Sequence, residues 1–208
     1  MIKSVIFDFG NVLFDLNYDL FYANFSALLD EEVRNGFPEV LVSAMEQYEK
    51  GKMNTETFIW NFQHYKNGNI APLDIINCWN SLLVGLPEHR FGFLATLTSK
   101  YKLYLLSNIN ELHLSTVYKH VGKVCGEIDY ETKYFDAVFY SHMIGLSKPG
   151  LDIYEYVQDG LGLKGEEILF IDDRLDNVQA AKTCGWNAIQ HEPEHDIVDV
   201  FDHYISQF

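Results

Sequence analysis

Five short runs of apolar and β-branched residues recur along the chain, most of them followed at once by a polar or glycine pair. They cover residues 4–9 (SVIFDF) before Gly10-Asn11, 102–106 (KLYLL) before Ser107-Asn108, 137–140 (AVFY), 168–171 (ILFI) before Asp172-Asp173, and the shorter 187–189. Runs this compact and this apolar fit strands buried on both faces. Stretches with helical patterning stand between and after them, over 89–100, 110–120, 151–160 and 175–184, the last stopped by Gly185. Strands alternating with helices predict parallel pairing through right-handed crossovers, an α/β doubly wound (Rossmann-like) sheet. One more short helix is expected over 197–205.

Residues 15–84 break this rhythm. They show no strand pattern but four helical stretches: 19–29, 39–49, 55–65 behind an Asn54 N-cap, and 73–83 just after Pro72. A helical insertion directly after the first strand predicts a small α-helical cap over the edge of the sheet. The expected division is therefore a core of residues 1–14 and 86–208 and a cap of residues 15–85.

Composition narrows the possible partners. The 208 residues suit one domain with a modest insertion, and 48% hydrophobic content excludes a disordered chain. Fifteen Lys and Arg against 30 Asp and Glu leave a net charge of −15. That balance argues against nucleic acid and against an anionic membrane surface, and it requires a local positive trap for any anionic substrate. Cys78, Cys125 and Cys184 form no CxxC pair, so they predict neither a disulfide framework nor a zinc ribbon, but buried thiols in a reducing cytoplasm. The start of the chain carries Asp8 too early for a signal peptide, and no apolar run is long enough to span a membrane, so a soluble cytoplasmic protein is expected.

Two motif matches do not survive their context. Gly160-Leu161-Gly162-Leu163-Lys164-Gly165 spells a dinucleotide fingerprint, but a helix precedes it and a strand follows, the reverse of what pyrophosphate binding needs. It reads as a helix-to-strand turn. His191-Glu192-Pro193-Glu194-His195 spells a zinc motif, but Pro193 would break the helix that must hold both histidines on one face, so a solvated loop is expected.

The chemistry lies at the strand ends. In an open parallel sheet, ligands bind beyond the carboxyl ends of the strands. There this sequence places Asp8, Ser107-Asn108 and Asp172-Asp173, with Lys148 seven or eight residues past the 137–140 run and just before Pro149. Each alone has an ordinary reading: a turn residue, an N-cap pair, a surface lysine. Together, in order on successive strand ends, they point to one site. Carboxylates about 4 Å apart repel by roughly 4 kcal/mol at an effective dielectric of 20, so Asp8 and Asp172-Asp173 call for a divalent cation, and an all-oxygen site suits Mg²⁺. With Lys148 and the Ser107 hydroxyl, such a site would trap a phosphoryl group beside a carboxylate nucleophile.

The four segments Phe7-Asp8-Phe9-Gly10-Asn11-Val12-Leu13, Leu105-Leu106-Ser107-Asn108, Gly145-Leu146-Ser147-Lys148-Pro149 and Ile171-Asp172-Asp173-Arg174-Leu175-Asp176-Asn177 resemble the four signatures of the haloacid dehalogenase-like hydrolases. The first is similar to a bacterial branch of sugar-phosphate phosphatases, glucose-1-phosphate phosphatase-like proteins. The resemblance implies a Mg²⁺-dependent phosphatase acting on a small phosphorylated molecule through an aspartyl-phosphate. It casts Asp8 as nucleophile and places Ser107 and Lys148 on the phosphoryl oxygens with Asn108 among the substrate contacts. It assigns the metal to Asp8, the Gly10 carbonyl and Asp173, with Asp172 in or next to the shell, and has Asn177 support the acidic loop. Substrate identity is expected in the cap around residues 48–52.

One departure stands out. Most phosphatases of this family carry a second Asp two residues after the nucleophile as general acid and base, and here that position is Gly10. The proton must then come from water, from the substrate, or from an acidic side chain of the 39–49 helix such as Glu46 or Glu49. A 2-haloacid dehalogenase-type hydrolase and a weakly active phosphate-binding regulatory protein are the alternative readings. The Asp172-Asp173 pair counts against the first, and Gly10 is the support for the second.

Overall fold

The computed structural model describes residues 2–68, 70–126 and 129–208. The chain begins with β1 (Ser4–Phe7), β2 (Asp15–Leu16), α1 (Tyr18–Leu29), α2 (Glu39–Glu49), α3 (Thr55–Tyr65), α4 (Pro72–Asn80) and β3 (Leu83–Gly85). It continues through α5 (Glu88–Leu97), β4 (Lys102–Ser107), α6 (Glu111–Cys125), α7 (Tyr130–Tyr134), β5 (Ala137–Tyr140), α8 (Ser141–Ile144) and α9 (Leu151–Leu161). It closes with β6 (Ile168–Asp172), α10 (Leu175–Thr183), β7 (Asn187–Gln190) and α11 (Ile197–Ile205).

The five strands expected from the apolar runs form one parallel sheet in the order β5-β4-β1-β6-β7. Alternate residues point to opposite faces, and both faces are buried. Val5, Phe7, Leu103, Leu105, Leu169 and Ile171 pack on one side with side chains of α5, α6 and α11. Ile6, Leu106, Ile168 and Phe170 pack on the other with α9 and α10. This two-sided burial is why these strands read as continuous apolar runs. The first run is shorter than expected, because the chain leaves the sheet after Phe7.

Helices α1–α4 enclose an apolar cluster of their own, rich in aromatics, with Phe25, Tyr48, Phe58, Phe62 and Trp79 at its centre. Tyr48 stacks on Phe58 at 4.3 Å and Phe58 meets Trp79 edge-on at 4.8 Å. Asn54 caps α3 as expected, its side chain accepting from the Thr57 N–H at 2.8 Å. The expectation of no strand within 15–84 is overturned: β2 and β3 pair antiparallel at the two ends of this segment, Asp15 opposite Gly85 and Leu16 opposite Leu83. At two and three residues they are too short for an alternating pattern to register. The turn into β3 also ends α4 at Asn80 rather than at residue 83. Elsewhere α6 runs past residue 120 to Cys125, where Gly126 in the left-handed region caps it, and α5 stops at Leu97.

The two discarded motifs fall where expected. Gly162 is the left-handed cap of α9 and Gly165 opens a turn into β6. The 191–195 segment is a loop after β7, although His191 itself is buried, its N–H bonded to the Asp172 carbonyl at 2.9 Å. Cys78 and Cys184 are free and half-buried, less enclosed than expected; the Cys125 side chain lies outside the described residues. No described helix is long and apolar enough to cross a membrane.

Several contacts fasten the helical segment to the rest, three of them on the helices α2 and α4. The Leu112 N–H donates to the Tyr48 hydroxyl at 3.1 Å, the Trp79 indole N–H donates to Asn110 Oδ1 at 3.1 Å, and the Ser141 hydroxyl donates to the Glu49 carbonyl at 2.6 Å. Two residues past α2, Gly51 has φ +63°, and a Cβ there would overlap the His142 carbonyl oxygen. Gly51→Ala is expected to cost about 1–3 kcal/mol, from left-handed strain and the displaced backbone. Urea denaturation checks this: the midpoint should fall with an unchanged slope, and an unchanged midpoint would show that the junction yields freely.

Candidate active site

Strands β4, β1 and β6 are neighbours in register, with Phe7 opposite both Leu105 and Ile171, so their carboxyl ends open on one edge. Asp8 follows β1 directly, its N–H bonded to the Ile171 carbonyl at 2.8 Å. Beyond it the chain folds into a tight loop: the Leu13 and Phe14 N–H groups both donate to the Phe9 carbonyl, at 2.9 and 2.8 Å. The left-handed residue of this loop is Asn11, φ +54°, and not Gly10. Asn tolerates that region, and its amide donates to Asp173 Oδ2 at 2.9 Å. Ser107 ends β4 and Asp172 ends β6.

Lys148 arrives from the loop between α8 and α9 and ties these ends together. Its Nζ donates to Asp8 Oδ1 at 2.7 Å, to Asp172 Oδ2 at 2.7 Å and to the Leu106 carbonyl at 2.8 Å, which uses all three ammonium protons. The lysine and Asp172 side chains are 1% and 0% exposed. Asn108, expected among the substrate contacts, lines the same cavity as Asp8 and engages the Lys148 backbone with its amide. It donates to the Lys148 carbonyl at 2.8 Å and accepts from the Lys148 N–H at 2.9 Å. Asn177 holds the acidic loop, its amide N–H₂ reaching both oxygens of Asp172 at 2.9 and 3.0 Å.

Burial shapes the ionisation. Desolvation raises Asp8 to about 7, with Asp172 and Asp173 adding to the rise and Lys148 opposing it. Asp173 is raised too, mainly by burial, while its bond from Asn11 works the other way. Burial opposes the charge on Lys148, but Asp172 and Asp8 carry it above its ordinary value. The site therefore holds more carboxylate than cation. Oxygens of Asp8, Asp172 and Asp173 lie within 4.8 Å of one another. Both Asp172 oxygens are occupied, by Lys148, Asn177 and the Arg174 N–H, whereas Asp8 Oδ2 and Asp173 Oδ1 have no protein partner among the described residues. A hard oxygen-ligand cation such as Mg²⁺ fits that donor set, through Asp8 and Asp173 more than Asp172.

Asp8, Asp173 and Lys148 line a cavity of about 140 Å³, as do Gly10 and Ser107, with Asp172 buried behind them. Its walls include Tyr18 and Glu49 from the helical segment, Leu82 beside β3, His113 of α6 and Arg174. Sequence patterning gave Tyr18, His113 and Arg174 no role, since each is a single polar position on a helix or turn with no spacing signal. Of the two acidic candidates on α2, Glu49 lines the cavity and Glu46 is exposed. Tyr48 and Lys52, expected near the substrate, line a separate groove of about 820 Å³ between the end of α2 and α6, which contains none of the three aspartates.

The chain belongs to the haloacid dehalogenase-like hydrolase family, whose model matches residues 2–185. It is 24% identical to a D-ribitol-5-phosphate phosphatase of Bacteroides thetaiotaomicron, over 92% of this chain and 93% of that one. It is 27% identical to a sesquiterpene phosphatase of Aspergillus oryzae, over 88% and 86%. Among solved structures, a haloacid dehalogenase family enzyme of Bacteroides thetaiotaomicron in its magnesium complex superposes with a TM-score of 0.82 at 27% identity, covering 96% of this chain and 98% of that one. L-2-haloacid dehalogenase of Xanthobacter autotrophicus shares the fold more distantly, with a TM-score of 0.56 at 22% identity over 91% and 77%.

Lys148→Met is expected to cost about 3–5 kcal/mol at pH 8, because it leaves Asp8 and Asp172 buried together with no cation between them. Denaturation in chelator measures this. A cost below about 1 kcal/mol would mean that the lysine does not hold the two acids apart.

Proposed function

We propose that this protein is a Mg²⁺-dependent phosphatase of small phosphomonoesters that works through a covalent intermediate on Asp8. The observation that carries this reading is the Asp8 carboxylate itself, braced on one oxygen by Lys148 and unengaged on the other, at the bottom of a cavity. In the first step the Asp8 carboxylate attacks phosphorus, the bond from phosphorus to the ester oxygen breaks, and that oxygen takes up a proton to leave as the alcohol. In the second, water attacks phosphorus, the bond to Asp8 breaks, and inorganic phosphate leaves. The Lys148 ammonium would attract the phosphoryl group through its charge, and the Ser107 hydroxyl, which lines the cavity, would donate to a phosphoryl oxygen. Asp8, the Gly10 carbonyl and Asp173 would hold Mg²⁺, which when bound supplies positive charge against the carboxylates and the phosphoryl group.

Substrate size follows from the cavity. At about 140 Å³ it is well below the 300–1,000 Å³ typical of pockets for drug-sized ligands, so a polyol or sugar phosphate fits better than a terpenoid ester. The similarity to a D-ribitol-5-phosphate phosphatase, and a shorter 40% match over 53 residues to a glyceraldehyde 3-phosphate phosphatase of Methanocaldococcus jannaschii, support the same class. Residues 15–85 act as the cap that completes the cavity, with β2 and β3 as the paired strands where the chain enters and leaves it. A cytoplasmic setting suits the free thiols, and the charge of −15 disfavours nucleic acid and anionic membranes as partners.

Phosphate release from small phosphomonoesters, in chelator and with Mg²⁺ restored, tests the reading. Release should require Mg²⁺ and vanish in Asp8→Asn, which keeps an acceptor for Lys148 but removes the nucleophilic charge. Full activity in chelator would overturn it. Asn11→Gly keeps the left-handed turn but frees Asp173. It should raise the half-saturating Mg²⁺ concentration about 10–100-fold, as loss of a ligand's hydrogen-bond partner does elsewhere. An unchanged Mg²⁺ dependence would remove Asp173 from the metal site.

A further inference from the structure

We propose that Glu49, the last residue of α2, is the proton donor to the departing alcohol, an assignment that rests on the phosphatase reading above. An alkyl ester oxygen leaving phosphorus carries nearly a full negative charge unless an acid meets it, and Gly10, two residues past Asp8, offers no side chain.

The other proton-bearing groups around the cavity are committed or unsuited. All three protons of the Lys148 ammonium are bonded to Asp8, Asp172 and the Leu106 carbonyl. Arg174 does not give up a proton near neutral pH and is paired with Asp176 at 2.6 Å. Burial and the Asp173 and Asp8 carboxylates hold the Tyr18 phenol far above its ordinary value, which makes it too weak an acid. Burial pushes His113 down to about 4, so it is neutral, and its ring nitrogens lie 3.0 Å from the Trp79 carbonyl and 3.2 Å from the Asn110 amide.

Glu49 differs from all of these. It lines the cavity with Asp8, and its carboxyl makes no hydrogen bond or ion pair among the described residues. Its main chain is fixed by the Ser141 hydroxyl on its carbonyl, by the buried, hydrogen-bonded Tyr48 before it and by Gly51 seated against His142 after it. The backbone is thus held while the carboxyl stays uncommitted. The charged and titratable groups around it are Glu46 on its own helix, Lys50 just past its end, Arg174 and Asp173 from the loop after β6, Tyr18 of α1, and Asp8, Lys148 and His113 across the cavity. Burial dominates and raises Glu49 to about 7, with Glu46 adding to the rise and Arg174 and Lys50 opposing it. An acid so poised is part-protonated at neutral pH.

The protons balance. Protonated Glu49 gives its proton to the ester oxygen as the bond to phosphorus breaks. The water that attacks phosphorus on Asp8 carries its protons into the departing phosphate, which gives one up to solvent, and the Glu49 carboxylate takes one back from solvent. Ester and water become alcohol and phosphate, and Glu49 ends protonated as it began.

The test compares Glu49→Gln with the wild type on two Mg²⁺-supported substrates: glycerol phosphate, whose alkoxide needs a proton, and acetyl phosphate, whose acetate leaves without one. Glu49→Gln should lower kcat on glycerol phosphate by about 10²–10⁴-fold and leave acetyl phosphate turnover near wild type. The second rate also reports that the variant is folded. The wild-type rate on glycerol phosphate should fall as pH rises through the titration of Glu49, and Glu49→Asp should restore part of the activity and of that alkaline fall. Equal losses on both substrates, or no loss on glycerol phosphate, would overturn the assignment of Glu49 while leaving the phosphatase reading intact. No Mg²⁺-dependent release from either substrate by the wild type would overturn that reading, and the assignment with it.

Discussion

The ammonium of Lys148 between Asp8 and Asp172 is the contact on which the site depends. Two ionised carboxylates about 4 Å apart repel by roughly 4 kcal/mol at an effective dielectric of 20, and both of these are buried. One buried cation bonded to both at 2.7 Å lets them coexist. The cation itself is costly to bury, and the Leu106 carbonyl on its third proton and the Asn108 amide on its backbone make that burial possible. The sheet order supplies the rest: β1 lies between β4 and β6, so Asp8, Ser107 and Asp172 start from adjacent strand ends.

The surplus of carboxylate has a functional consequence. One ammonium faces three aspartates, and a chain with a net charge of −15 repels anions at long range. A phosphorylated substrate is attracted only where positive charge is concentrated: at Lys148, at Arg174 in the cavity wall, and at the cation that we propose Asp8 and Asp173 hold. Among the described residues one oxygen of Asp8 and one of Asp173 stay free while both Asp172 oxygens are bonded, which is why we assign the metal to the first two and a structural role to Asp172.

How much of this was legible in the sequence follows from burial. The sheet strands are enclosed on both faces, so they appear as apolar runs, and the polar residues at the ends of β1, β4 and β6 are those we propose carry the chemistry. Helices α2, α3 and α11 stand at the limits their patterning predicts. The β2–β3 pair did not register, because two or three residues show no period. Nor could helical spacing alone separate Glu46 from Glu49. The difference between them is set by Tyr48 anchoring to α6 and by the Ser141 bond to the Glu49 carbonyl, contacts between residues 64 and 92 positions apart. Asn108 shows another limit: its place beside Ser107 suggested a substrate contact, and no spacing signalled that its amide also braces Lys148, 40 positions away.

The most direct measurement of the covalent route is to trap the intermediate. Wild-type protein mixed with a small phosphomonoester and Mg²⁺, quenched in acid and digested, should yield one peptide heavier by a phosphoryl group. Reduction of the acyl phosphate should mark Asp8 as the modified residue. A phosphoryl group found on another side chain, or continued turnover with no trapped intermediate on Asp8, would contradict it.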